Sequence, residues 1–541
     1  MCLLNEDFGA CGFGSRPMSS VWNHSCPDRF QCYEGQWPEC GMRRVDVHAE
    51  GAAVRLFPAE TAPLKSPTTR LRSTLFGIWI RVSVQPATVF IVLSLAFGGL
   101  IISGTPPLRG PDEISHFLRI YSYARGEILP TTEVNGRKGI LVEPGLYNQL
   151  QFFRTAGEVL ARGDGLRYQQ LVAGYHSSSS MADEPDQAPI FAPFAGTEGY
   201  NPVAYIPYIA AAAIGRLFKL HFPDVLLFMR WFGLATFTVI AAYAIAVIPA
   251  LKWAFVLIAL LPVSLYNRSV LSADGAAFST ALVITALCLR AAAGPTAGRV
   301  WERSLWMTLC ALSKQPQIVF VLLELMVYRL RELPRQWLRV TSVVLPSIIL
   351  SPLWVVAVSA EIAAWRLQQE GNHPPEHFDP LWKLLYMWEH PYHFPLAAWR
   401  ALSGWAHRLW QELIGIVGWQ DILLPAWTYL ALTVFLFLVP LQTFQVSGAT
   451  RARVAVITGL VALSYVIVVY LIFFLTYTPL DVDHVRGVQG RYFVIVLPVA
   501  AIFVATVINR ELPSAMPAAI AITGSMIAGI ATVEALLRAH W

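Results

Sequence analysis

The segment PDEISHFLRIYSYARGE, which follows the first long apolar stretch, contains two carboxylates and an imidazole that could take part in chemistry. Pro111 is typical of a helix start and places Asp112 and Glu113 in the first turn. Asp112 and His116 are four residues apart, so they share one face of that helix. Another side of the helix is apolar, which predicts that it lies along a membrane interface. Alternatively, the two acids only complement the helix dipole.

A third acidic residue and a lysine stand at the ends of later apolar segments. Asp274 falls in the first turn of ADGAAFSTALV, where Ser272 could cap the helix and Arg268 could pair with the carboxylate. Lys314 lies at the tip, SKQPQ, of a predicted short hairpin; the alternative is a lysine that snorkels to the interface. Ionisable residues in or beside a membrane are costly, so each is a candidate functional residue.

The loop TYTPLDVDHVRGVQGRYF contains Arg486 and Arg491 on the predicted outer side, against the usual distribution of positive charge in membrane proteins. Its two glycines allow close backbone approach, and Arg491 enters the next apolar segment beside aromatic residues. A guanidinium at that depth is suited to binding a phosphate or pyrophosphate through two hydrogen bonds. A salt bridge to Asp481 or Asp483 is the alternative.

The histidines of another polar loop do not predict a metal site. His373 and His377 are four residues apart, but Pro374 and Pro375 between them forbid the helix that an HExxH zinc site requires. The same loop is rich in tryptophan, which predicts an aromatic cover at the interface. No P-loop or dinucleotide-binding pattern is present, so no nucleotide cofactor is predicted.

The composition determines the class of protein that positions these residues. Of 541 residues, 55% are hydrophobic and only 14% are charged. Soluble domains contain about a quarter charged residues, so a soluble enzyme and a nucleic-acid binder are excluded. The prediction is an all-α polytopic transmembrane bundle of about 11–13 spans, some of them short or re-entrant.

The domain organisation follows from charge and hydropathy. Residues 1–75 are predicted to be a disordered cytoplasmic tail, or an over-extended start, since Met42 would make an ordinary beginning. Residues 76–541 are predicted to form one transmembrane domain, with the N-terminus in the cytoplasm because the first span follows a basic flank. The predicted extracytoplasmic loops are 104–200, 360–420 and 476–490.

The predicted topology contains one conflict. The charge rule places Arg290, Arg299 and Arg303 in the cytoplasm. Four ordinary spans between Pro202 and Arg290 would instead place Arg290 outside. One of the four must therefore be re-entrant or wrongly counted, because the charge rule is stronger than span boundaries read from sequence.

Five stretches, in the same order, resemble the bacterial membrane protein family called domain of unknown function 2142, over roughly Pro86 to Arg510. Between Asp112 and His116 the family more often has Glu-Pro-Ala, but the acidic pair and the following His-Phe are intact here. The five stretches are PDEISHFLRIYSYARGE, GYNPVAYIPYIAAAAIGRLF, SADG at the start of a span, GIVGWQDILLP and GVQGRYFVIVLP.

That family is itself similar to GT-C glycosyltransferases, including the protein mannosyltransferases and the aminoarabinose transferases that modify lipid A. Those enzymes have an acidic motif in the first outer loop, a further Asp at the outward end of a later span and a Lys in a short hairpin. Asp112, Glu113, Asp274 and Lys314 match these features in order. The resemblance implies a transferase of the bacterial cytoplasmic membrane that acts on the outer face.

In this interpretation a sugar moves from a polyprenyl-phosphate donor to an envelope glycan, lipid or protein acceptor. Asp112 is the general base, and Arg491, helped by Lys314 or Arg486, holds the leaving phosphate. No cofactor is required, although a divalent ion held by Asp112 and a neighbouring acid stays open. Membrane lipids are expected partners and nucleic acid is not. The alternative is a non-catalytic protein that binds or translocates lipid-linked saccharides. The residues expected to orient the sugar or acceptor, or to ligate the ion, are Glu113, His116 and Asp274.

Overall fold

The computed structural model describes residues 85–134, 137–162, 167–170, 173, 188–294, 299–329, 331–369, 375–442 and 446–541. The tail predicted at 1–75 lies outside these residues. All of the described ranges belong to one compact unit, Pro67–Trp541.

The secondary structure is almost entirely helical. The helices begin with α1 (Pro86–Gly104), α2 (Glu113–Ala124), α3 (Pro144–Arg162), α4 (Ile206–Leu217), α5 (Phe222–Val247), α6 (Lys252–Ala259), α7 (Pro262–Ser269), α8 (Ala273–Ala293) and α9 (Val300–Ser313). They continue with α10 (Leu333–Gln369), α11 (Pro380–Glu389), α12 (His393–Gly404), α13 (Ala406–Ile414), α14 (Ala426–Leu438), α15 (Gly448–Thr476), α16 (Leu497–Ile508) and α17 (Met516–His540). Short 3₁₀ segments occupy Pro202–Tyr205, Gln315–Met326, Pro375–Phe378 and Gly490–Val496.

Within the described residues, seven helical segments are long and apolar enough to cross a membrane. The predicted all-α polytopic fold is therefore confirmed. The most enclosed of the seven is α8, since 83% of its 18-residue apolar stretch is buried. Its first turn contains Asp274, so we call the end of the bundle around this residue the site end. The seven segments are Pro86–Gly104, Phe222–Val247, Ala273–Ala293, Leu333–Val358, Gly448–Thr476, Gly490–Ile508 and Met516–His540.

Both ends of α4 lie beside α2, so α4 does not carry the chain across the bundle. Just before α4, the hydroxyl of Tyr205 is 2.6 Å from Nδ1 of His116 in the first half of α2. At the other end of α4, Arg216 donates to the backbone oxygen of Ala124, the last residue of α2, at 3.2 Å. The span predicted near 202–217 is thus a helix that stays at the site end, because it packs along α2.

This arrangement resolves the conflict in the predicted topology. Helix α5 begins beside α2, where the rings of Phe117 and Phe222 are 5.1 Å apart. The α6–α7 pair returns to the same place, since the backbone N–H of Leu271 donates to Glu113 at 3.0 Å. Helix α8 then has 21 residues, a length of about 30 Å. Arg290 consequently lies at the end opposite the site, as the charge pattern required.

Helices α6 and α7 together cross the bundle once and are interrupted at Pro262. Arg268 donates a hydrogen bond to a carbonyl group that this interruption leaves free. Proline removes a backbone donor and leaves carbonyl groups of α6 without helical partners. Arg268 is fully buried and donates to the carbonyl of Ala259 at 2.8 Å, while Ser264 donates to that of Ile258 at 2.9 Å. Arg268 therefore caps α6, and the pairing with Asp274 considered from the sequence is wrong.

The predicted hairpin around Lys314 is confirmed by α9 and the 3₁₀ segment Gln315–Met326, which pack side by side. A 3₁₀ helix rises about 2.0 Å per residue, so 12 residues reach about 24 Å, where an α-helix would reach about 18 Å. At the far end of the hairpin the buried pair Arg303–Glu324, 2.9 Å apart, joins its two arms. Lys314 is thereby held at the site end.

The long polar segments fold into a layer over the site end. The first contains α2, α3 and a small antiparallel sheet of three strands in the order β1 (Glu133–Val134), β2 (Arg137–Val142) and β3 (Ile190–Pro193). The second contains α11, α12 and α13, followed by the pair β4 (Ile416–Val417) and β5 (Ile422–Leu423). Among its tryptophans, Trp388 and Trp399 are 88% and 62% exposed, and their place at a membrane interface stays a prediction.

Candidate functional site

Asp112 occupies the N-terminal capping position of α2 but does not act as a cap. Its backbone has φ 53°, in the left-handed region, and its side chain makes no capping hydrogen bond. The carboxylate is 54% exposed, and Oδ2 lies 3.5 Å from a terminal nitrogen of Arg491. The helix-dipole alternative for this residue therefore does not describe its contacts.

Arg491 and Lys314 form the cationic part of the site, and the carboxylate of Asp274 contacts both of them. Nη1 of Arg491 is 3.8 Å from Oδ2 of Asp274, and the ammonium of Lys314 pairs with the other oxygen of the same carboxylate. The ammonium also lies 4.8 Å from the centre of the Tyr492 ring, in a cation–π contact. Lys314 is thus a member of a buried cluster and not a snorkelling residue. Ser272 caps α8, as predicted, by accepting from the backbone N–H of Asp274 at 3.0 Å.

The position of Arg491 depends on a close backbone contact next to it. A Cβ at Gly490 would lie 1.9 Å from the carbonyl oxygen of Leu409 in α13, so only glycine fits. The N–H of Gly490 donates to Glu412 at 2.6 Å. Gln489 accepts from Nε of Arg491 at 2.6 Å, which orients the guanidinium. The pattern GVQGR therefore fixes Arg491 at the start of its span.

His116 lies on the same side of α2 as Asp112 and is 5% exposed. Its Nδ1 is 2.6 Å from the hydroxyl of Tyr205. Burial lowers the pKa of His116 from 6.5 to about 4, against the opposing effect of Asp112 and Asp274. The imidazole is therefore neutral at pH 7 and can exchange hydrogen bonds without adding charge to the site.

Stability should fall as the pH is lowered from 6.5 towards 4, because the unfolded chain binds a proton at His116 that the folded protein does not. The contribution over the whole window is on the order of 3 kcal/mol. In the variant His116→Gln this part of the pH dependence should disappear. Unfolding midpoints of both proteins in detergent, from pH 7.5 to 4.5, measure it. Parallel curves for the two proteins would show that His116 is not buried in its neutral form.

Glu113 faces away from Asp112 and has a structural role. It is fully buried, and both of its oxygens accept from Arg230, at 2.8 and 2.6 Å. They also accept from the backbone N–H groups of Gly110 and Leu271, each at 3.0 Å. Glu113 therefore joins the start of α2 to α5 and to the turn before α8.

Replacing Arg230 by Met should destabilise the protein by about 3–5 kcal/mol, because the Glu113 carboxylate would stay buried without its partner. The matched control is Arg329→Met, since Arg329 and Glu332 form an exposed pair 3.9 Å apart. That change should cost no more than about 1 kcal/mol. Chemical denaturation in detergent compares the two, and equal losses would contradict a structural role for the buried pair.

Arg486 is brought to a different place from Arg491. Its side chain is exposed and lines an adjoining cavity of about 230 Å³ together with Trp405 and Arg408, and it does not line the cavity that contains Arg491. The divalent-ion site considered at Asp112 and Glu113 does not fit this geometry either, because four protein donors already surround the carboxylate of Glu113. Among the described residues, no three acidic, histidine or cysteine side chains form a metal-binding group.

Two cavities meet at Asp112. The smaller, about 350 Å³, contains His116, Lys314 and Arg491 in its lining. The larger, about 1250 Å³, extends away from these cations into the polar layer. Asp112, Ala195 and Tyr477 line both. A carboxylate at this junction can contact one molecule in each cavity.

Several residues of the site were not found from the sequence. Tyr205 and Gln489 orient His116 and Arg491, and Tyr200 lines the smaller cavity. Of these residues, Arg230 could most easily have been found from the sequence. It stands in the middle of an apolar run, where an arginine requires a buried partner. Tyr200 and Tyr205 lie in the stretch GYNPVAYIPY, and the spacing of its tyrosines does not indicate which ring reaches the site.

The spans and the charged cluster together define a polytopic helical membrane protein with a polar site at one end of its bundle. Residues 95–502 match the protein family described as "Predicted membrane protein (DUF2142)". The chain therefore belongs to this family, as the motifs predicted, and the matched range includes the whole cluster from Asp112 to Arg491. No match was found among curated proteins.

Proposed function

We propose that this protein is a GT-C-like glycosyltransferase that moves a sugar from a polyprenyl-phosphate donor to a cell-envelope acceptor. The observation that supports the proposal most is the 3.5 Å approach of Asp112 to Arg491 where the two cavities meet. A base for the acceptor hydroxyl and a cation for the leaving phosphate are the two groups that such a transfer needs at one site. The site would face the outside of the bacterial cytoplasmic membrane, with the N-terminus inside.

The donor would occupy the smaller cavity, with its phosphate at Arg491 and Lys314. Part of this cavity is formed by the apolar span α15, through Val469, Ile472 and Phe473, so a lipid chain can approach from the bilayer. Asp274 contacts both cations, and the three groups together have one net positive charge.

The acceptor hydroxyl would approach Asp112 from the larger cavity. Asp112 takes the proton of that hydroxyl as its oxygen attacks the anomeric carbon. The bond between that carbon and the phosphate oxygen breaks, and the electron pair leaves with the polyprenyl phosphate. Arg491 and Lys314 stabilise the charge that develops on the phosphate. Neutral His116 lines the smaller cavity, where it can hydrogen-bond the sugar, and the buried hydroxyl of Tyr205 holds its ring.

The test is a mass analysis of envelope glycans from cells with and without the protein. We expect one sugar modification to be lost in the deletion strain and restored by the wild-type chain. If the glycans are identical but lipid-linked saccharides accumulate on one face of the membrane, the protein binds or translocates them and is not a transferase.

A further inference from the structure

The two cavities differ in which parts of the chain form them. Among the described residues, all of those that line the 1250 Å³ cavity lie outside the seven candidate spans. The cavity is enclosed by α2, α3, the strands β2 and β3, and the turns around Trp419 and Tyr477. The 350 Å³ cavity, in contrast, includes residues of α15 and of the span Gly490–Ile508. Of the two cavities, the smaller is therefore the one to which described residues of the apolar spans contribute.

We infer that the acceptor is a water-soluble carbohydrate polymer and not a lipid. This inference rests on the proposed transferase function and specifies its second substrate. A lipid acceptor would need a path from the bilayer to Asp112, and none of the described residues that line the larger cavity belongs to a candidate span. An acceptor that enters from water needs no such path.

The size of the larger cavity favours a polymer. Pockets for drug-sized ligands measure about 300–1,000 Å³. The smaller cavity, at 350 Å³, suits one sugar with its phosphate. The larger, at 1250 Å³, exceeds that range and leaves room for several sugar units around the reacting hydroxyl.

The lining of the larger cavity favours sugars over an extended peptide. Trp419, Tyr477, Tyr147 and Phe191 offer aromatic faces, and the amide of Gln151 can bond hydroxyl groups. A peptide would bind most directly by adding a strand to the sheet. The longest strand, β2, offers only a short free edge, because β3 pairs with it over Gly139–Val142 and β1 pairs with it at Arg137 and Lys138. In β3, Pro193 lacks the N–H that an added strand would require.

Fractionation of the envelope tests the inference. Cells with the wild-type protein and cells with Asp112→Asn are extracted with chloroform and methanol, and both the extract and the residue are analysed by mass spectrometry before and after protease digestion. We expect the sugar that depends on the protein in the delipidated, protease-resistant polysaccharide. Its presence in the organic extract, or on peptides released by protease, would overturn the inference but leave the transferase function intact. No difference between the strains would remove both.

A second measurement tests the cavity itself. Trp419, which is 49% exposed, should stack on the acceptor, so Trp419→Ala should lower the sugar modification by roughly tenfold. The increase in melting temperature on adding undecaprenyl phosphate to the purified protein should stay unchanged. Trp388→Ala, at an 88% exposed residue outside both cavities, is the control and should change neither measurement. An unaffected modification in Trp419→Ala, or an equal loss of lipid binding, would overturn this role for the cavity.

Discussion

Asp112→Asn should reduce sugar transfer by about 10²- to 10⁴-fold and leave folding and donor binding intact. The amide has nearly the shape of the carboxylate, but it cannot accept the proton of the acceptor hydroxyl. The side chain is 54% exposed and does not cap α2, and Arg491 keeps its contact with Asp274, so the replacement should cost little stability. Transfer is measured with membranes of cells that contain either protein, from the rate at which the glycan modification appears.

The control for this variant is Asp224→Asn, in the first turn of α5, which also removes an exposed carboxylate from a helix start. It should transfer sugar at the wild-type rate, since Asp224 lines neither of the two cavities that meet at Asp112. Wild-type activity of the Asp112→Asn protein would exclude Asp112 as the base and favour a non-catalytic role in binding lipid-linked saccharides.

Arg491→Gln should reduce transfer by about 10²- to 10³-fold, because the charge that develops on the leaving phosphate would lose its closest cation. Donor binding should weaken as well, since in the proposed site the guanidinium would contact the phosphate before and during the reaction. Arg491→Lys should recover only part of the activity, because an ammonium cannot make two parallel hydrogen bonds to a phosphate. The rate of modification and the melting-temperature increase with undecaprenyl phosphate are the two measurements.

Arg486→Gln is the matched comparison, five positions earlier in the same loop. Its side chain lines a different cavity, so transfer should change by less than about tenfold. A loss as large as that of Arg491→Gln would show that the loop rearranges to bring both arginines to the phosphate. A fully active Arg491→Gln protein would rule out the proposed phosphate site.

The sequence predicted that Asp112 and Glu113 belong to the site, but it could not predict that their roles differ. The motif identified both as candidate residues, and the helix predicted to start at Pro111 starts two residues later, at Glu113. Their roles could not be separated, because neighbouring side chains at a helix start point in different directions. The tertiary structure separates the two roles, because Glu113 pairs with Arg230 of α5 inside the core. The miscounted span at α4 has a similar origin, since an apolar helix can pack on protein as well as on lipid.

The sequence alone determined that the chain is an all-helical membrane protein, because long apolar runs and few charges leave lipid as the only suitable solvent. It also identified Lys314 at a hairpin tip and Arg491 at the start of a span. Only the tertiary structure decided that Arg491 meets Asp112, 379 positions earlier, and that two unlike cavities join there. The physical reason is that local patterns report which residues avoid or need water. Which distant charges pair depends on how all the helices pack together.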